Sequence, residues 1–178
     1  LNDFLCTREG DAWRIELGSM FGGQMLDPVL RLTLPGGTEG GTREVHVRVE
    51  DREGAPTLVI DADGFEPELE DRDSKLMVDG FRLGWKSFIA YNLVGQRFHG
   101  VGLGPDTVGV RIDLYDSSGD YEASGIDGLE MHIHGNAQDQ LGQIMKAGKL
   151  VVHSDVGQTF MYGAKGGDVF VMGNAAGR

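Results

Sequence analysis

Met131-His132-Ile133-His134-Gly135-Asn136 decides the fold, because the pattern recurs. Nineteen residues on stands Leu150-Val151-Val152-His153-Ser154-Asp155, and nineteen further on Val169-Phe170-Val171-Met172-Gly173-Asn174. Nineteen residues before Met131 the chain reads Ile112-Asp113-Leu114-Tyr115-Asp116. Strict alternation sorts these residues into two faces. One face carries Ile112, Met131, Leu150 and Val169 in one column and Leu114, Ile133, Val152 and Val171 in the next. All eight are apolar. A single short unit cannot bury such a face, whereas stacked neighbours can. The spacing therefore predicts a solenoid of parallel strands about 4.8 Å apart.

The opposite face reads Asp113, His132, Val151 and Phe170 in one column and Tyr115, His134, His153 and Met172 in the other. A face left in water would be charged or hydroxylic. This one grows apolar toward Arg178, so it is expected to be covered, by the N-terminal half or by another chain. Small residues mark the corners, as in the column Gly109, Gly128, Ala147 and Gly166. Gly135-Asn136, Ser154-Asp155 and Gly173-Asn174 form a second corner, where Asn and Asp can bond the local backbone and Asn can stack between turns.

Upstream, Trp13 to Leu17 alternates and reads as a short strand, with Val29 to Leu34 as a second. Glu44 to Glu50 alternates strictly, Asp51 to Gly54 is a turn, and Thr57 to Asp61 is the returning strand of a β-hairpin. Glu66 to Asp73 reads as a solvated acidic loop. Asp79 can cap a helix carrying Phe81, Gly84, Trp85, Phe88 and Asn92 at helical spacing, its aromatic face packed on the neighbouring sheet. Gly95 to Gly109 is the junction. The expectation is a β-rich region with one helix over 1–108 and a β-helix over 109–178. The chain starts at Leu1 without Met and stops at Arg178 partway into a repeat, which suggests a fragment whose coil continues.

The 178 residues suffice for a real core. Glycine is abundant, at 29 residues, and proline scarce, which fits many tight turns. The net charge of −12 repels phosphate backbones and anionic lipid, so no nucleic-acid partner and no membrane insertion are expected. No apolar run reaches the roughly 20 residues of a membrane helix, and no secretory signal opens the chain. Cys6 is the only cysteine, so neither an internal disulfide nor a four-thiolate cluster can form from this chain. A cytoplasmic setting follows.

His132-x-His134 with His153 is the constellation that could carry chemistry. Residues two apart share a face, and His153 lies one turn from His134, so three imidazoles come within reach of a zinc-like ion. The competing reading is a covered face whose histidines satisfy one another, and Met172 completes the column as a poor zinc ligand. Gly100-Val101-Gly102-Leu103-Gly104-Pro105 has glycines but opens no helix, so it is a loop and not a nucleotide cradle. Lys146 and Lys165 occupy equivalent places and read as splayed, solvated side chains. Cys6 has no activating histidine nearby in the sequence. No catalytic, cofactor-binding or metal-binding residue and no cofactor are expected.

Tyr162-Gly163-Ala164-Lys165 followed by Gly166-Gly167-Asp168-Val169-Phe170-Val171-Met172-Gly173-Asn174-Ala175-Ala176-Gly177-Arg178 resembles the GXGXG domain that closes the large subunit of glutamate synthase. It is also similar to one of the subunits of formylmethanofuran dehydrogenase and to stand-alone glutamate-synthase-domain-3 proteins. The resemblance spans Val110 to Arg178. It departs from the pattern at Ser154-Asp155 and at the bulkier Gln138-Asp139-Gln140. The resemblance implies a right-handed parallel β-helix that serves as a scaffold without catalytic residues of its own. It also implies a catalytic domain or subunit of a glutamate-synthase-like or related multisubunit oxidoreductase as partner. Two other readings stand beside it: an independent metal-binding enzyme using the His132/His134/His153 face, and a scaffold that self-associates into a homo-oligomer.

Overall fold

The computed structural model describes residues 5–9, 12–16, 49–50, 56–67 and 72–176. They are mainly β structure with one short helix. The chain divides into two compact units, Leu1–Val47 and Arg48–Arg178. In the first, strands β1 (Leu5–Glu9) and β2 (Ala12–Glu16) pair antiparallel, with Cys6 opposite Ile15. The strand expected at Trp13 to Leu17 is thus present, one residue earlier. The strand expected at Val29 to Leu34 and the turn at Asp51 to Gly54 lie outside the described residues.

The second unit holds a seven-stranded sheet. Strand β3 (Val49–Glu50) runs antiparallel to β4 (Pro56–Asp61), the pairing expected of the hairpin. From β4 onward six strands run parallel: β4, β5 (Ser87–Val94), β6 (Arg111–Ser117), β7 (Asp127–Ile133), β8 (Ala147–Val152) and β9 (Asp168–Val171). Among the described residues the sheet is not closed, and β3 and β9 form its edges. Ile112 stands opposite Met131, Met131 opposite Leu150 and Leu150 opposite Val169, while Leu114, Ile133, Val152 and Val171 form the next column. These are the eight residues that alternation assigned to the inner face. The columns also extend upstream: Phe88 and Ala90 lie opposite Ile112 and Leu114, and Leu58 and Ile60 lie opposite Phe88 and Ala90. Phe88, Ile112, Leu114, Met131, Ile133, Leu150 and Val152 are completely buried. Each such side chain gains about 1.5–3 kcal/mol by leaving water.

The connections between strands are stacked as well. Ser118, Ala137, Val156 and Ala175 form a second parallel ladder of single bridges. Gly142 N donates to Glu122 O at 2.8 Å, Met161 N to Leu141 O at 2.8 Å and Ile144 N to Tyr162 O at 2.9 Å. Backbone groups that an ordinary loop would leave to water are here satisfied by the next turn.

The expected helix from Asp79 is corrected. Helix α1 spans Asp73–Arg82, and Ser87 to Val94 is strand β5. Asp79 sits in the last turn, where its backbone carbonyl accepts from Leu83 N. Gly84 follows with φ +97°, and Trp85 N returns to Gly80 O at 3.1 Å, so the helix closes before Lys86. The residues read as one helical face are split between α1, the link after it and β5. Gly80 fits against Leu58 and Phe88, which lets α1 approach the sheet closely. Met77, on α1 itself, is fully buried.

The segment between β5 and β6 turns through Gly100, Gly102 and Gly104 and leads into β6 without a helix. It is anchored from within: the Gln96 side-chain amide donates to Phe65 O at 3.0 Å, and Thr107 Oγ1 donates to Asp127 O at 3.0 Å. No helix among the described residues is long and apolar enough to cross a membrane.

Candidate functional site on the outer sheet face

The outer face of β6 to β8 gathers most of the chemistry in the described residues. On β6, Arg111 clamps Asp113 with two bonds, Nε to Oδ2 at 2.7 Å and Nη2 to Oδ1 at 3.0 Å. Asp113 Oδ1 also accepts from His134 Nε2 at 2.8 Å. Burial pushes the Asp113 carboxyl up, but the bonds from His134 and Arg111 outweigh it and hold the carboxyl below its ordinary range. The Arg111 guanidinium is raised, first by its bonds to Asp113.

One strand on, Glu130 Oε1 accepts from His132 Nε2 at 2.6 Å and from Lys149 Nζ at 3.3 Å, with Arg111 Nη1 at 3.4 Å. The His132 bond is the largest influence that holds the Glu130 carboxyl below its ordinary value. His132 Nδ1 in turn lies 3.5 Å from His153 Nε2. Partial burial, then the neighbouring His134 and His132, pull the His153 imidazole down.

The column Tyr115, His134 and His153 is a stack of rings. Tyr115 and His134 have centroids 4.3 Å apart and planes 5° apart, and His134 and His153 are 4.7 Å and 13° apart. Parallel strands in register bring side chains into such ladders. His134 Nδ1 is buried and has no hydrogen-bond partner among the described residues. The face does grow apolar toward β9: Phe170 is 53% exposed and Met172 67% exposed.

The sequence placed His132, His134 and His153 together, and the structure does so. It did not single out Arg111, Asp113 and Glu130 as their partners. The signal was present, because Glu130 lies two residues before His132 and Asp113 heads the His132 column. Among the described residues, no group of three or more His, Cys, Asp or Glu side chains is arranged to hold a metal ion. Lys146 reaches Asp127 Oδ2 at 3.7 Å with most of its side chain in water, and Lys165 is exposed. Cys6 lies on β1.

A second cluster escaped the sequence reading altogether. His99 is fully buried, with Nε2 2.8 Å from Asp73 Oδ2 and Nδ1 2.8 Å from Glu122 Oε1. Its backbone N donates to Glu122 Oε2 at 2.8 Å. Burial alone would lower the ring, but Glu122 and Asp73 overcome it and raise the imidazole to about 10. Burial pushes the Glu122 carboxyl up more than His99 pulls it down. Asp73, expected in a solvated acidic loop, is therefore a buried residue at the start of α1. Both nitrogens of His99 are occupied, so the ring is a tie between α1, the β5–β6 segment and the turn after β6.

The polar corners bond between turns, not only locally. Asp120 Oδ1 accepts from Asp139 N, Asp139 Oδ1 from Gln158 N, and Asp155 Oδ1 from Asn174 N, at 2.9, 2.7 and 2.7 Å. Ser154-Asp155, a departure from the Gly-Asn corner, thus does the bonding that joins β8's turn to the next.

No curated protein and no solved structure matches the chain. The GXGXG motif family matches residues 85–178, from Trp85 just before β5 through the whole stacked region. That match covers more than half of the sequence and coincides with the columns, corners and ladders described above, so the chain belongs to the GXGXG motif family.

Proposed function

We propose that the stacked region is a right-handed β-helix with 19-residue turns that serves as a non-catalytic scaffold. It presents a rigid face to a catalytic domain or subunit of a glutamate-synthase-like or related multisubunit oxidoreductase in the cytoplasm. The observation that carries this reading is the outer face. Its ionic groups are paired with one another within and across strands, its rings are stacked, and its β9 end exposes Phe170 and Met172. Groups so tied offer a pre-ordered surface that loses little side-chain freedom on docking. Membership of the GXGXG motif family is consistent with such an assembly.

Co-elution from native extract tests it. The chain is expected to travel with a catalytic redox or amidotransferase subunit, and the double substitution Phe170→Asp and Met172→Asp is expected to release it. Elution of the wild-type chain by itself at monomer mass would sink the scaffold reading. Elution as a multimer of this chain alone would favour self-association instead.

A further inference from the structure

Among the described residues, the one short hydrogen bond of the His132 ring is at Nε2. Its Nε2 lies 2.6 Å from a Glu130 carboxylate oxygen, which must receive a proton from it. A neutral imidazole protonated on Nε2 carries its lone pair on Nδ1. That nitrogen faces His153 Nε2 at 3.5 Å, a long and weak contact for a hydrogen bond. Ligating histidines at metal centres are held in this way: the far nitrogen donates to a carboxylate, which fixes the tautomer and the ring orientation. The spacing also fits. Two zinc–nitrogen bonds of about 2.05 Å that meet at about 115° place their nitrogens about 3.5 Å apart.

The geometry points to a two-imidazole site for a zinc-like divalent transition-metal ion, held by His132 Nδ1 and His153 Nε2 and oriented by Glu130. His153 is exposed, so the remaining coordination positions open outward, to water or to a side chain of whatever docks on this face. The chain supplies two ligands and not three, in keeping with the absence of any three-residue metal group among the described residues. His134 is not a ligand. Its ring lies nearly parallel to that of His153, so their in-plane lone pairs run side by side and do not converge. The site is a binding site, carries no reaction, and does not depend on the scaffold reading.

Zinc chloride titrated into the full chain against a competing chromophoric chelator tests the assignment. One ion per chain is expected, with affinity at least tenfold weaker in His132→Ala and in His153→Ala. Glu130→Gln keeps both imidazoles and is expected to weaken binding about tenfold, since outer carboxylates commonly contribute that much. His134→Ala is expected to bind within about twofold of wild type, the distinction that the ring geometry requires. Nuclear magnetic resonance of the wild-type protein supplies a check that needs no variant: zinc should shift the ring protons of His132 and His153 before any others. Zinc binding that ignores both substitutions, wild-type binding no tighter than that of the double variant, or a loss in His134→Ala equal to that in His153→Ala would each overturn the site.

Discussion

At His99 a buried positive charge faces two carboxyl groups, and that balance has a pH signature. The folded ring titrates near 10 and the unfolded one near 6.5, so the folded state holds a proton that the unfolded state releases in between. The stabilisation is complete below the unfolded value and is lost as pH rises through the folded one. Glu122, raised by burial, acts with the same sign in the window just above its ordinary value of 4.5. Stability to urea is therefore expected to fall between pH 7 and pH 9, by up to about 1.4 kcal/mol per pH unit from His99. His99→Gln should flatten that slope, and a wild-type midpoint that climbs over the same range would refute the account. Asp73→Asn, which leaves the buried charge short of a partner, is expected to cost about 3–5 kcal/mol in the same measurement. None of this was legible in the sequence. Asp73, His99 and Glu122 lie on elements far apart along the chain and follow no period, and only the packing of α1 on the sheet unites them. His132, His134 and His153 were legible because a repeat places them in adjacent columns.

At the level of elements, periodicity was a reliable guide where one pattern ran through one element. It named the inner columns of β6 to β9 residue by residue. It failed at α1 and β5 because two short elements, separated by Leu83-Gly84-Trp85-Lys86, left apolar residues that a single helical wheel could also accommodate. Gly80, Phe81, Trp85 and Phe88 all serve the same core, but from a helix, the link after it and a strand. The corners allow a sharper test. Gly148, the second residue of β8, has φ +108°, and a methyl group there would collide with the carbonyl oxygen of Leu129. Gly104 has φ +83° with open space around it. Gly104→Ala should cost only the backbone penalty, about 1–2 kcal/mol, whereas Gly148→Ala should cost clearly more, about 3 kcal/mol or above. Thermal melts of the two variants compare them directly, and equal losses would show that the close approach at Gly148 is unimportant.

Across the whole second unit, stability should be graded along the sheet. Strands β6, β7 and β8 each have two bonded neighbours and completely buried inner residues, whereas β9 has one neighbour and half-exposed Phe170. Structures built of stacked units open from their ends. Hydrogen exchange read by mass spectrometry is expected to show slowest exchange in peptides from β6 to β8 and early exchange in β9. Uniform protection through β9 would contradict that order. The same stacking acts on the gene as a reading frame acts on codons. The connections are bonded turn on turn, through Gly142 to Glu122 and Met161 to Leu141, so they hold no slack to absorb an extra residue. One residue inserted between β7 and β8 would turn His153 inward and Val152 outward. Such a chain tolerates point changes within a column and gains or loses length in whole coils, like a thread cut to a fixed pitch.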